Sequence, residues 1–80
     1  MPIHNDDIEQ IFNEVADLLD IKGDNRFRIR SYRNAARTVG SLSQEAADMI
    51  SQDQDLSKLP GIGKDLAGKI AQLLDNPQLR

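Results

Sequence analysis

No cysteine and no tryptophan occur among the 80 residues, and aromatic side chains make up only 4% of them. Zero cysteines exclude a disulfide framework and a thiolate metal site, and they suit a reducing cytosol. A single histidine, His4, near what reads as a frayed terminus, argues against zinc catalysis. Apolar runs never exceed three residues, so neither a signal peptide nor a membrane span is read. Such a short chain sits near the lower limit at which one hydrophobic core suffices. With few rings available, that core must be aliphatic, built from Leu, Ile, Val and Ala with Phe12, Phe27 and Tyr32. A bulky cofactor would find no cavity there. Repeats and low-complexity tracts are missing, and residues 1–80 read as one domain. The chain closes on Gln78-Leu79-Arg80 without an obvious finish, as an amino-terminal domain excised from a longer protein would.

What the chain does have is charge, unevenly placed. The net charge of −3 taken alone argues against a nucleic-acid partner. Residues 1–21, however, hold six acids and no Lys or Arg, whereas residues 22–37 hold Lys22, Arg26, Arg28, Arg30, Arg33 and Arg37 against Asp24 alone. Residues 38–57 carry four acids and no base; residues 58–80 carry Lys58, Lys64, Lys69 and Arg80 against Asp65 and Asp75. A local basic surface, rather than the total, decides phosphate binding. The acidic remainder should weaken affinity and steepen its dependence on salt.

Hydrophobic spacing predicts four or five helices and no strand. Ile8, Ile11, Phe12, Val15, Leu18 and Leu19 follow i, i+3, i+4, i+7 spacing and mark an amphipathic first helix. Asp6 and Glu9 resemble a capping box at its start, and Gly23 should end it. Its acids are read as a solvated face. A second helix is expected from Ile29 to Val39, with Ile29, Tyr32, Ala36 and Val39 on one stripe. Arg30, Arg33 and Arg37 form another stripe about 120° away. Guanidiniums lined up on one edge of a half-buried helix can fork onto phosphate oxygens, or else pair with acids of the first helix. Ser43 is expected to cap a short third helix whose Ala46, Ala47 and Ile50 face inward. A polar loop, a turn at Leu56–Leu59 and a last helix from Lys64 to about Leu74, stopped by Asn76-Pro77, complete the chain. The fold expected is an all-α, compact bundle of four to five short helices.

The most informative stretch is LPGIGKDLAGKI, Leu59 to Ile70. Gly61 and Gly63 permit positive φ and leave no Cβ to keep a phosphate from the backbone. The helix that follows starts near Gly63 or Lys64, where unpaired N–H groups and the positive end of the dipole favour an anion. Ile62 should point inward to pin the bend, and Lys64 adds a full positive charge. This spacing matches a helix-hairpin-helix motif that binds DNA without reading its sequence. Its bland alternative is a helix–helix turn with no ligand.

Taken in order, an amphipathic helix, FRIRSYRNAARTV, a short capped helix and LPGIGKDLAGKI resemble the amino-terminal domain of X-family DNA polymerases, over about residues 7–76. In polymerase beta and bacterial and archaeal relatives, this domain grips the 5′-phosphate side of a gap in base-excision repair. Several members also remove a 5′-deoxyribose phosphate through a lysine Schiff base. The resemblance implies that Lys69 is the Schiff-base lysine and that Arg28 and Tyr32 belong to its phosphate pocket. It further implies that the Leu59 and Ile62 carbonyls hold a monovalent cation, Na+ or K+, bridging to DNA. Ser57 and Asp65 stand where polymerase beta is basic. Asp65, four residues before Lys69, has the spacing of an i,i+4 ion pair that would keep the lysine protonated.

The function expected is phosphate-backbone DNA binding that anchors the 5′-phosphate side of gapped or nicked DNA. Gly61, Ile62, Gly63, Lys64 and Lys58 supply the hairpin contact, while Arg28, Arg30, Arg33, Arg37 and Tyr32 hold neighbouring phosphates. Without side chains aimed at bases, specificity would come from DNA shape and a free 5′-phosphate. Two rivals remain: a deoxyribose-phosphate or abasic-site lyase using Lys69, and a protein-interaction domain of a structure-specific nuclease contacting through its acidic first helix. A monomer acting with the polymerase domains of its parent chain is expected, in the cytoplasm and at the nucleoid in a bacterium or archaeon.

Overall fold

In the computed structural model, which describes residues 3–75, four α-helices form a compact all-α bundle: α1 (Asn5–Lys22), α2 (Arg26–Gly40), α3 (Ala46–Ser51) and α4 (Lys64–Asp75). A 3-10 turn over Leu56–Lys58 precedes α4. The stop expected at Asn76-Pro77 and the chain end lie outside the described residues.

Most inter-helix contact joins α1 to α2, an antiparallel pair closed by a short link. Gly23 ends α1 in the left-handed region (φ 72°), its N–H donating to the Asp20 carbonyl. Asn25 then caps α2, accepting the Phe27 N–H at 2.7 Å. This cap starts α2 at Arg26, earlier than the hydrophobic spacing predicted, and so takes Phe27 and Arg28 into the first turn. Between the two helices, Phe12 and Tyr32 meet edge to face, with ring centroids 5.5 Å apart and planes at 85°.

The core joins Ile8, Phe12 and Ala16 of α1 to Tyr32, Ala35, Ala36 and Val39 of α2. Met49, Leu56, Ile62, Leu66 and Ile70 close it from the other side. Two expected core members are not in it. Phe27 is 76% exposed and Leu18 is 59% exposed. Phe27 belongs to the turn beside its cap rather than to the buried stripe, and Leu18 lies at the edge of the α1 stripe, where Leu19 packs instead.

Two caps also differ from expectation. At the start of α1, the His4 N–H donates to Asp7 Oδ2 at 2.9 Å, replacing the Asp6–Glu9 box. Ser43 does not cap α3. Buried Asn5 reaches across instead, accepting the Ala46 N–H at 2.8 Å and donating to the Gln44 carbonyl at 2.9 Å. The His4 ring also binds Glu45, Nδ1 to Oε1 at 2.6 Å, and Ile3 is buried. The amino-terminal segment from Ile3 is therefore tied to α3 rather than frayed.

Candidate nucleic-acid interface

The bend before α4 is a backbone construction. Asp55 accepts from both the Ser57 N–H (2.9 Å) and its hydroxyl (2.6 Å), winding the 3-10 turn. The Ile62 N–H then reaches back to the Leu59 carbonyl at 3.1 Å, closing a turn with Pro60 and Gly61 at its centre. Proline presets the first central position, and Gly61 supplies φ 77° at the second, as a type II turn requires. Ile62 is 3% exposed and pins the bend to the core. Thr38 of α2 fixes the other side, its hydroxyl donating to the Pro60 carbonyl at 2.8 Å. Gly63 does not adopt positive φ; a Cβ there would meet nothing within 4 Å. Gly63 thus leaves open space there and carries no left-handed strain.

The Ala67 N–H donates to the Gly63 carbonyl at 2.9 Å, so α4 begins directly after Gly63. The backbone N–H groups of Gly63, Lys64, Asp65 and Leu66 have no hydrogen-bond partner among the described residues. Four adjacent donors, at the positive end of a helix dipole, are left for an anion. Gly61, Gly63 and Lys64 are exposed. Beside them opens a surface groove of about 780 Å³, lined by Phe27, Arg28 and Tyr32 from α2 and by Lys64, Asp65 and Lys69 from the bend and α4.

The groove brings together six residues that the sequence reading named for the site: Arg28, Tyr32, Gly61, Gly63, Lys64 and Lys69. Tyr32 is mostly a core residue, 6% exposed, that also lines the groove. Arg28 keeps a long 3.5 Å contact to Asp24. The Asp65–Lys69 ion pair expected from spacing is not formed, and no described carboxylate lies within 4.0 Å of Lys69 or Lys64. Lys58 is exposed on the 3-10 turn. Its charge and that of Lys64 help hold the Asp55 carboxyl below its ordinary value, behind the larger effect of the two Ser57 hydrogen bonds. At the bend, the Ile62 carbonyl accepts no hydrogen bond among the described residues and the Leu59 carbonyl accepts one. Neutral carbonyl oxygens of this kind are the donors that a monovalent cation would take.

Arg30, Arg33 and Arg37 lie elsewhere. They line a second, shallower hollow of about 460 Å³ with Arg26, Ile29, Asn34 and Asp20. Arg33 pairs with Asp17 of α1 at 2.9 Å, the structural alternative to a phosphate contact. Arg26, Arg30 and Arg37 have no described carboxylate within 4.0 Å. Sequence reasoning missed Phe27, Ser31 and Gln72 as groove residues. Their spacing from Arg28 and Lys69, at i+3 or less along the same helix, was the available signal.

Comparison with known proteins agrees with this geometry. A family model described as a helix-hairpin-helix domain matches residues 3–79, nearly the whole chain. The chain belongs to the helix-hairpin-helix family. Among similar proteins is the DNA polymerase/3'-5' exonuclease PolX of Bacillus subtilis (strain 168), 32% identical over 73 residues. That match covers 91% of this chain but only 12% of PolX. This helix-hairpin-helix domain is thus related to the X-family polymerases, as the motifs indicated. No described helix is long and apolar enough to cross a membrane.

Proposed function

We propose that this helix-hairpin-helix domain binds the DNA phosphate backbone without reading sequence, and anchors the 5′-phosphate side of gapped or nicked DNA. The observation that carries this reading is the run of four unpartnered N–H groups, Gly63 to Leu66, opening onto a groove with three cations. Backbone donors fix a phosphate in position, and Lys64 and Arg28 neutralise its charge. A terminal 5′-phosphate carries more charge than a diester and gains most from such a site. The Leu59 and Ile62 carbonyls would hold Na+ or K+, adding positive charge on the strand side of the bend. A titration of gapped duplexes with and without the 5′-phosphate tests the proposal. Tighter binding of the phosphorylated gap, unaffected by base sequence, is expected; equal affinity or sequence preference contradicts it.

One observation favours a second activity at the same groove. Lys69 lines it with no described carboxylate within 4.0 Å, which leaves its Nζ open to a substrate in the groove. As a lyase, Nζ would add to the C1′ aldehyde of an opened deoxyribose with loss of water. Removal of a C2′ proton would then expel the 3′ phosphate. Borohydride trapping on incised abasic DNA tests this, with the adduct absent in Lys69→Ala. A failed trapping experiment rejects the lyase and leaves phosphate binding standing.

A further inference from the structure

The cations of α2 point two ways. At 100° per residue, Arg28 lies about 160–180° around the helix from Arg26, Arg30 and Arg37. Arg28 faces the hairpin groove, while the other three line the second hollow. A strand seated at the hairpin and passing Arg28 cannot also run along those three without wrapping a helix roughly 10–12 Å thick.

We propose that the Arg26–Arg30–Arg37 stripe is a second nucleic-acid contact, holding a phosphodiester segment different from the one at the hairpin. This rests on the DNA-binding reading above and extends it to a two-segment grip. From Arg26 to Arg37 the stripe rises about 16 Å along α2. A duplex strand passes roughly five phosphates in that axial distance, so each guanidinium can reach its own. None of the three has a described carboxylate within 4.0 Å, whereas Arg33 between them is paired with Asp17 of α1. Asp20 is the one described carboxylate lining the hollow.

Chemistry selects nucleic acid over an acidic polypeptide. The hollow is shallow, half-buried Ile29 is the one apolar residue described in its lining, and the rest of its apolar surface comes from side chains that end in polar or charged groups. Protein partners need a desolvated anchor pocket, and none is offered here. Evenly spaced forks on an open surface suit a repeating phosphate. The two contacts are held in one frame, because Thr38 bonds the hairpin to α2 and a Cβ on Gly61 would touch Asn34 at 3.5 Å. Two fixed contacts on opposite sides of one helix match two segments that diverge, as they do at a gap.

The test compares the triple variant Arg26→Gln/Arg30→Gln/Arg37→Gln with Lys64→Ala, using the full chain. Each binds a 5′-phosphorylated gapped duplex and a short 5′-phosphorylated single strand from about 50 to 200 mM salt. For the triple variant, the slope of log K against log salt on the gapped duplex should fall by roughly two to three, one for each lost phosphate contact. Its affinity for the short strand should stay within twofold of the parent chain. Equal losses on both ligands, or no loss on the duplex, overturn the second contact. Retained duplex affinity with lost binding of poly-glutamate overturns it in favour of an acidic polypeptide. Lys64→Ala should weaken both ligands. Failure of the stripe is thus read on the triple variant, and failure of the hairpin reading on Lys64→Ala.

Discussion

The hairpin and the arginine stripe present positive charge by different physics. At the hairpin the donors are main-chain N–H groups, aimed by a turn that Pro60, Gly61 and Ile62 enforce. Along α2 the donors are long side chains whose positions come from helical spacing alone. The first kind is preorganised and inseparable from the fold. The second can be removed one charge at a time with little effect on stability. Substitutions that separate folding from binding therefore expose which region does what.

Ile62→Ala should have the largest effect. Truncating a buried Ile costs about 2–5 kcal/mol, a large share of the roughly 4–12 kcal/mol that a chain of this size holds. Urea unfolding should show the loss, while Arg30→Gln should stay within about 0.5 kcal/mol of the parent chain. Comparable losses in the two would abolish the distinction. Next come the paired glycines. Gly61→Ala places a Cβ in the left-handed region and should cost about 1–2 kcal/mol. Gly63→Ala meets no neighbour, so it should fold normally yet bind DNA several-fold more weakly, because its methyl occupies the phosphate approach. If Gly63→Ala binds as well as the parent chain, the open space beside it has no part in binding.

Thr38→Val removes the hydroxyl that bonds the Pro60 carbonyl and should cost about 0.5–1.5 kcal/mol, measured by the same urea titration. The smallest effect concerns pH and lies away from both cationic regions. His4 has its pKa raised above 6.5, first by the hydrogen bond to Glu45, then by the Glu45 charge and by Asp7 and Asp6. A raised folded value means that this stabilisation is complete below pH 6.5 and is lost as pH climbs through the folded pKa. Asp55 runs the other way: its lowered value gives stability above the unfolded pKa, lost as pH falls through the folded one. Because His4 is the chain's only histidine, one ring resonance in an NMR titration reports it. Glu45→Gln should lower its midpoint; an unmoved midpoint would contradict the pair.

Much of this was legible in the residues, and the exceptions have physical causes. The helix order, the inward Ile62 and the start of α4 follow from periodicity and from the glycines of LPGIG, which are local signals. Asn25 and its cap are local signals too, but the hydrophobic spacing of α2 starts only at Ile29, and it is the cap that takes Arg28 into the first turn. The Asn5 bridge to Ala46 joins residues 41 positions apart, and no local pattern announces it. Periodicity could equally serve a phosphate or Asp17 at Arg33, and only the packing of α1 on α2 brought that aspartate within reach. The missing Asp65–Lys69 pair shows that i,i+4 spacing permits an exposed ion pair without enforcing it.

The central claim is that free main-chain donors at the start of α4 receive a DNA phosphate. Amide chemical shifts, followed while a 5′-phosphorylated gapped duplex is added, test it most directly. The N–H signals of Gly63, Lys64, Asp65 and Leu66 should move farthest, downfield, and less so when the 5′-phosphate is omitted. Should those four stay in place while the protein binds DNA, the account of the hairpin is wrong.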